Sequence, residues 1–417
     1  MGERDDIMKN SVKKVVIVLL GIFGAIIVLA VFVLGAYSIK YSPAYVIRAL
    51  RWLDADVYDY QKFPERSMKT GDDPFYFDLA LDESRVEALS EEHPLVDDLD
   101  AFLEETRTQA FIVIQDDAIL YENYLTGAER DSIVTSFSMA KSFASALVGI
   151  AIEEGTINSV DDPITTYIPE LSERDPAFEA ITIRDLLLMS SGIKYSEFPF
   201  VNGDDAKTYY HPDLRKLAVE DTRVIAAPGE YYLYNNYHPL LLGMILERAT
   251  GLPVAEYLEE KIWGQIGTEF PGSWSLDEAG FEKMESGINA RAIDFAKFGR
   301  LYLNQGNWDG VQVIPESWVT ESIQDNPKFT DPAYYGEDYG KVIHEVAEGG
   351  YYQYMWYGVH RERGEDDFYA EGNHGQIIYV SPQAEMILVR NGESYGPGIG
   401  PSDWVELAYH LATGLIQ

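Results

Sequence analysis

Thr135-Ser136-Phe137-Ser138-Met139-Ala140-Lys141-Ser142-Phe143-Ala144 opens an apolar run that reaches Ile152 and stops near Gly155. Ala140, Ala144, Leu147, Val148 and Ala151 recur at helical spacing with almost no charge between them, so the run reads as a buried helix. Ser138 and Lys141 are three apart and share one face of it. The amine can then reach the hydroxyl. A serine hydroxyl is a weak nucleophile until a base takes its proton, and a neutral lysine can be that base. The pattern alone is permissive. Ser11-Val12-Lys13-Lys14 also matches, but lies in a charged flank. Ser191-Gly192-Ile193-Lys194 matches across a glycine that ends a helix. Only Ser138 opens an apolar helix after a strand-rich stretch.

A lysine base must be kept neutral, and burial can lower its pKa by up to about 3–5 units. The catalytic set also needs a proton relay. Tyr234-Asn235-Asn236 is the candidate, in a loop just before the helix that starts near Pro239. A tyrosine beside a lysine can pass protons both ways, and Asn236 can hold a substrate amide or carbonyl. The other Tyr-x-Asn matches, at Tyr121 and Tyr302, fall in a hairpin and at a helix end. An oxyanion hole would use the Ser138 N–H at a helix start and a second N–H from a neighbouring strand. Ala370-Glu371-Gly372-Asn373-His374-Gly375-Gln376 is the candidate strand end, with Asn373 donating and Gly372 and His374 beside it. His374 reads equally as a satisfied structural histidine.

Outward from this core, hydrophobic patterning sets the architecture. Residues 110–114 and 119–121 form a hairpin about Asp116-Asp117. Helices are expected over 183–189, 239–249, 290–304 and 315–323. Strands return at 352–359, 367–370, 376–380 and 386–390, and a helix closes the chain at 402–415. The expected fold is α/β in the broad (α+β) sense. Both chain ends build one antiparallel sheet flanked by helices, and the middle forms a mostly helical lobe. A cleft between the two would hold the site.

Residues 15–37 carry no charge, long enough to span a bilayer as a signal anchor. A cleaved signal peptide would have a shorter apolar core and a small-residue cleavage site. Residues 1–14 would be a cytoplasmic tail, with Arg4, Lys9, Lys13 and Lys14 before the span; Lys40, Arg48 and Arg51 follow it. The catalytic domain would then be periplasmic or extracellular. Residues 38–105 read as a juxtamembrane approach with a short amphipathic helix at 43–53, and 106–417 as the hydrolase domain. The absence of cysteine excludes a lipoprotein anchor. The net charge of −37 argues against nucleic-acid partners and reads as a heavily solvated surface.

Together these motifs resemble the serine β-lactamase-related family, which includes class C β-lactamases, penicillin-binding proteins, β-lactamase-fold carboxylesterases and 6-aminohexanoate-dimer hydrolases. Residues 181–192, 290–303, Trp308-Asp309-Gly310 and Ile314-Pro315-Glu316-Ser317-Trp318 extend the likeness. The resemblance implies a serine hydrolase without cofactor or metal, acylated at Ser138, with Lys141 and Tyr234 as base and acid. One motif departs. Drug-binding members carry Lys-Thr-Gly where this chain has Ala370-Glu371-Gly372; the literal Lys69-Thr70-Gly71 precedes the serine and reads as a decoy. Without that cation, strong β-lactam turnover is not expected. The Gly-x-His-Gly-Gln version is most similar to the 6-aminohexanoate-dimer hydrolase and esterase branch, which implies small ester or linear amide substrates. A rival of another class is a penicillin-interacting sensor or β-lactamase-like protein with slow or no turnover. The rival enzyme, an α/β-hydrolase, would use Gly392-Glu393-Ser394-Tyr395-Gly396, but no helix is expected directly after it. His344-Glu345 lacks a second histidine for zinc.

Overall fold

The computed structural model describes residues 2–326, 333–336, 343 and 346–416, with side chains from residue 13 onward. His344 and Glu345 lie outside the described residues. Among the described residues the main sheet has eight strands. In spatial order they are Gly350–Gln353, Trp356–Val359, Asp367–Gly372, Gln376–Ser381, Met386–Gly392, Thr108–Gln115, Ala118–Tyr124 and Asp78–Leu79. All pairs are antiparallel except the last, where Asp78–Leu79 runs parallel to Ala118–Tyr124. The two chain ends meet where Thr108–Gln115 pairs with Met386–Gly392. The hairpin turns on Asp116 and Asp117, both at positive φ (52° and 58°), as a two-residue turn with right-handed strand twist requires.

Central strands are covered on both faces, which is why they read as continuous apolar runs. On one face lies the helix Ala292–Leu303. A Cβ on its Gly299 would stand 2.9 Å from Ile387 and 3.0 Å from Ile378, so glycine lets helix and sheet close up. The other face is closed by Pro401–Ile416, whose Trp404 packs on Phe102 and Phe111. The helix Ala140–Glu153 lies behind the first: Phe143 stacks on Phe298 at 3.6 Å between ring centroids. Every residue from Ala140 to Ala151 is buried. Near its end Gly149 admits the Trp318 ring, which a Cβ would meet at 2.2 Å.

The helical lobe includes Ile183–Leu187, Asp204–Tyr210, Leu214–Glu220 and Tyr237–Thr250. Thr182 and Asp185 form a reciprocal capping box at the start of the first, and Gly251 ends the last at φ 74°.

Three differences from the sequence reading have physical causes. Residues 352–359 are not one strand: Tyr354 and Met355 take positive φ (42° and 66°) and fold the stretch into a hairpin. A second, four-stranded sheet joins Glu65–Met68, Gly272–Ser275, Ile288–Ala290 and Val134–Thr135. These strands are two to four residues long, too short for a periodic signal. The approach segment also holds the helix Glu83–Glu91, which buries only Val86 and Ser90 and so carries little apolar pattern.

The helix Gly2–Tyr41 precedes all of this. Its stretch Lys13–Tyr41 is long and apolar enough to cross a membrane. Only Ser42 separates it from the helix Pro43–Trp52, which Ser42 caps by accepting from the Tyr45 N–H at 3.1 Å.

Candidate active site

Ser138 sits in a single 3-10 turn, Phe137–Met139, that runs directly into Ala140–Glu153. Phe137 takes positive φ (41°), and the preceding strand Val134–Thr135 pairs with Ile288–Ala290. Strand, strained turn and buried helix thus fix the serine. Lys141 is one turn on and 2% exposed. Its Nζ lies 2.8 Å from Ser138 Oγ and donates to the Glu285 carbonyl at 2.8 Å. It also stands 4.9 Å from the Tyr234 ring centroid. Among the described residues no carboxylate pairs with it within 4 Å: the Glu285 side chain is held by Lys283 at 2.8 Å instead. Burial dominates and pushes the Lys141 ammonium down from 10.5 to about 7, against smaller opposing pulls from Glu285, Asp205 and Glu371. Charging this amine inside the fold therefore costs on the order of 5 kcal/mol. A large fraction is neutral near pH 7, and a neutral amine can accept the serine proton.

Tyr234 and Asn236 precede the helix Tyr237–Thr250, as the loop pattern suggested. Asn236 Nδ2 donates to Tyr195 Oη at 2.9 Å and to Asp205 Oδ1 at 3.2 Å. Its Oδ1 has no partner among the described residues and is left to accept from a ligand. Asn235 between them is structural: its Nδ2 donates to the Ile193 carbonyl and its Oδ1 accepts from the Tyr237 N–H.

The end of Asp367–Gly372 lies against the serine turn. A Cβ on Gly372 would stand 2.2 Å from the Ser136 carbonyl and 3.0 Å from the Ser138 nitrogen, so only glycine permits that approach. Asn373 lines the same small cavity of about 80 Å³ as Ser138, Asn236, Asp205 and Glu285. His374 is turned elsewhere, toward the approach segment. Its Nε2 is 2.9 Å from the Ala55 carbonyl, and its ring leans on Phe137. Glu371 lies on this strand, directly before Gly372. Burial raises its carboxyl from 4.5 to about 7, while the Tyr395 hydroxyl, donating at 2.8 Å, and Lys141 pull the other way.

The competing motifs resolve differently. Ser191 Oγ is 2.6 Å from His238 Nε2, and Lys194 is carried by irregular backbone. Tyr121 donates to Asp100 at 3.0 Å in the hairpin, and Tyr302 is wholly buried in the core. Lys69-Thr70-Gly71 packs against Gly264. Ser394 sits in irregular backbone, and the next helix begins only at Pro401, so the elbow of an α/β-hydrolase is not formed.

Several site features carry no sequence signal. The Glu285 carbonyl, Asp205, Tyr195 and residues 53–55 lie in loops or on short helices without motif spacing, and only the folded chain brings them to Ser138.

A family profile described as Beta-lactamase matches residues 97–391.

This chain belongs to the β-lactamase family.

Members of this β-lactamase fold are generally serine hydrolases. The chain is 27% identical to the 6-aminohexanoate-dimer hydrolase of Paenarthrobacter ureafaciens over 325 residues, covering 73% of this chain and 77% of that one. It is 24% identical to the teichoic acid D-alanine hydrolase of Staphylococcus aureus over 269 residues, 60% of each. Among solved structures, a Bacillus anthracis protein proposed to be a 6-aminohexanoate-dimer hydrolase superposes with a TM-score of 0.69 at 25% identity, covering 87% of this chain and 93% of the other. A class C β-lactamase gives a TM-score of 0.57 at 15% identity over 80% and 97% of the two chains, a likeness of fold.

Proposed function

We propose that this protein is a membrane-anchored serine hydrolase that cleaves a small ester or linear amide through an acyl-enzyme on Ser138. The observation that carries the reading is the buried Lys141 amine, held 2.8 Å from Ser138 Oγ with its pKa pushed down to about 7, so that a large fraction is neutral near pH 7. In this mechanism Lys141 takes the Ser138 proton as Oγ adds to the substrate carbonyl. Tyr234, beside Lys141, returns that proton to the leaving oxygen or nitrogen as the tetrahedral intermediate collapses. Water then enters by the reverse relay: its proton passes to Lys141, the acid is released and Ser138 is reprotonated. The N–H groups of Ser138 and Asn373 would stabilise the oxyanion.

The cavity walls favour a substrate that carries an amine. Asp54 and Asp205 both line it, and neither has an ion-pair partner among the described residues. The names of two relatives point the same way, one to 6-aminohexanoate and one to D-alanine. The apolar residues 15–37 would be the anchor, with the catalytic domain on the periplasmic or extracellular side.

The test uses the full chain in detergent with p-nitrophenyl butyrate, the 6-aminohexanoate dimer and a chromogenic cephalosporin, followed by intact mass. Turnover of the ester or the dimer with a transient mass gain on Ser138 is expected, and cephalosporin turnover is expected to be poor. A permanent adduct with the cephalosporin and no turnover of any substrate would favour a sensor instead. Equal activity of Ser138→Ala would remove the assignment.

A further inference from the structure

The pocket around Ser138 is roofed by the membrane-proximal chain. Leu53, Asp54 and Ala55, directly after the helix Pro43–Trp52, line the cavity together with Phe200, Ala206, Tyr209 and Tyr210. His374 fastens Ala55 over the serine turn. Ala206 and Tyr210 also belong to a second hydrophobic cluster, separate from the main core, and Phe200 and Tyr209 pack against it. That cluster includes Tyr41, Tyr45 and Ala49 and is packed by Leu34 and Tyr37, which lie within the apolar span. Tyr45 donates to the Val201 carbonyl at 2.7 Å, and Tyr210 to the Leu53 carbonyl at 2.9 Å. One set of side chains therefore touches the spanning helix on one side and the catalytic cavity on the other.

The outward face follows the same logic. The helix Pro43–Trp52 buries Tyr45, Val46 and Ala49 against the domain yet leaves Ile47 and Leu50 exposed, at 60% and 45%, and Leu53 follows at 62%. Phe198, two residues before Phe200, is 78% exposed. Exposed Ile47 and Leu50 beside the basic Arg51, directly after the span, suit a lipid boundary.

We propose that the catalytic pocket is held at the bilayer surface and takes an amphiphile from the same leaflet, with its apolar tail in the membrane and its ester or amide carbonyl in the headgroup layer. This rests on the anchored-hydrolase reading and adds the route by which substrate arrives. A ligand confined to the leaflet that also confines the pocket gains effective concentration over one in bulk water, about tenfold or more for such tethering.

The test compares two butyrate esters with the same scissile bond, one of methylumbelliferone and one of heptadecylumbelliferone. The full chain is reconstituted in phosphatidylcholine vesicles, which avoid repulsion by the acidic domain. Hydrolysis of the heptadecyl ester is expected to exceed that of the methyl ester by about tenfold when ester and enzyme share a vesicle, and to lose that advantage when they are in separate vesicles. In the Ile47→Asp/Leu50→Asp chain the ratio of the two rates should fall at least about threefold, since charge lifts this face from lipid. Equal rates for the two esters in shared vesicles, equal rates from shared and separate vesicles, or an unchanged ratio in the double variant would overturn the proposal. Failure of the parent to cleave even the methyl ester would instead remove the hydrolase reading, and failure to float with vesicles would remove the anchor reading; either takes this inference with it.

Discussion

Lys141 Nζ is equidistant, at 2.8 Å, from Ser138 Oγ on its own helical turn and from the Glu285 carbonyl on a distant loop. The backbone acceptor fixes where the amine points, and with no carboxylate paired to it among the described residues, burial dominates its pKa. Had a carboxylate stood at that position, the lysine would stay protonated and could not act as a base.

Ser138→Ala and Lys141→Ala should each lower kcat/KM for p-nitrophenyl butyrate by about a thousandfold or more, because residues acting as one unit lose nearly everything singly. Lys141→Arg should fail as badly, since guanidinium remains charged at any working pH. Steady-state kinetics with circular dichroism as the fold control checks this. Retention of a tenth of the activity by any of the three would refute the roles.

The depressed amine sets a pH dependence. Below about 7 Lys141 gains its proton and the base is lost; above it the base is present. Activity on a neutral ester should therefore rise with pH through an apparent pKa near 7 and level off. The same shift acts on stability: between 7 and 10.5 the unfolded chain binds more protons than the folded one, so this group's penalty shrinks as pH rises. A rate profile flat from pH 5.5 to 8.5 would contradict the assignment.

Glu371 gives a second, opposite signature. Its carboxyl titrates at about 7 in the fold and near 4.5 when unfolded. Below 4.5 both states hold the proton; from there to 7 the unfolded chain releases it first, so stability falls as pH rises. Glu371→Gln should remove this loss and be more stable than the parent above pH 7, by about 1–2 kcal/mol in urea melts. Because the Glu371 charge raises the Lys141 pKa, the same variant should move the activity profile to lower pH. No change in either measurement would show that Glu371 is not coupled to the site.

Asp205→Asn should separate substrates by charge. An amine-bearing ester should lose binding, with KM raised about three- to tenfold, while a neutral ester of similar size keeps its KM, because a charge-assisted contact contributes about 1 kcal/mol or more. Parallel kinetics on the two esters reads this out. An equal loss on both would assign Asp205 to holding Asn236 rather than substrate.

What the chain decided by itself is local and periodic. Ser138 to Ala151 carries a helical apolar pattern because that helix is buried all round, and the strands near the end read as apolar runs because both sheet faces are covered. The hairpin at Asp116-Asp117 and the loop before Tyr237–Thr250 were legible for the same reason: short-range backbone chemistry writes them into adjacent residues. The tertiary structure decided what depends on distant chain. The Glu285 carbonyl is 144 residues from Lys141, and Ala55 is 319 from His374. Neither contact leaves a spacing or a period in the sequence, since a backbone oxygen can belong to any residue. Sequence thus determined which hydroxyl and amine stand together; only folding decided that burial draws the amine's pKa down to about 7, which acids face it, and that residues 53–55 line the cavity beside the serine.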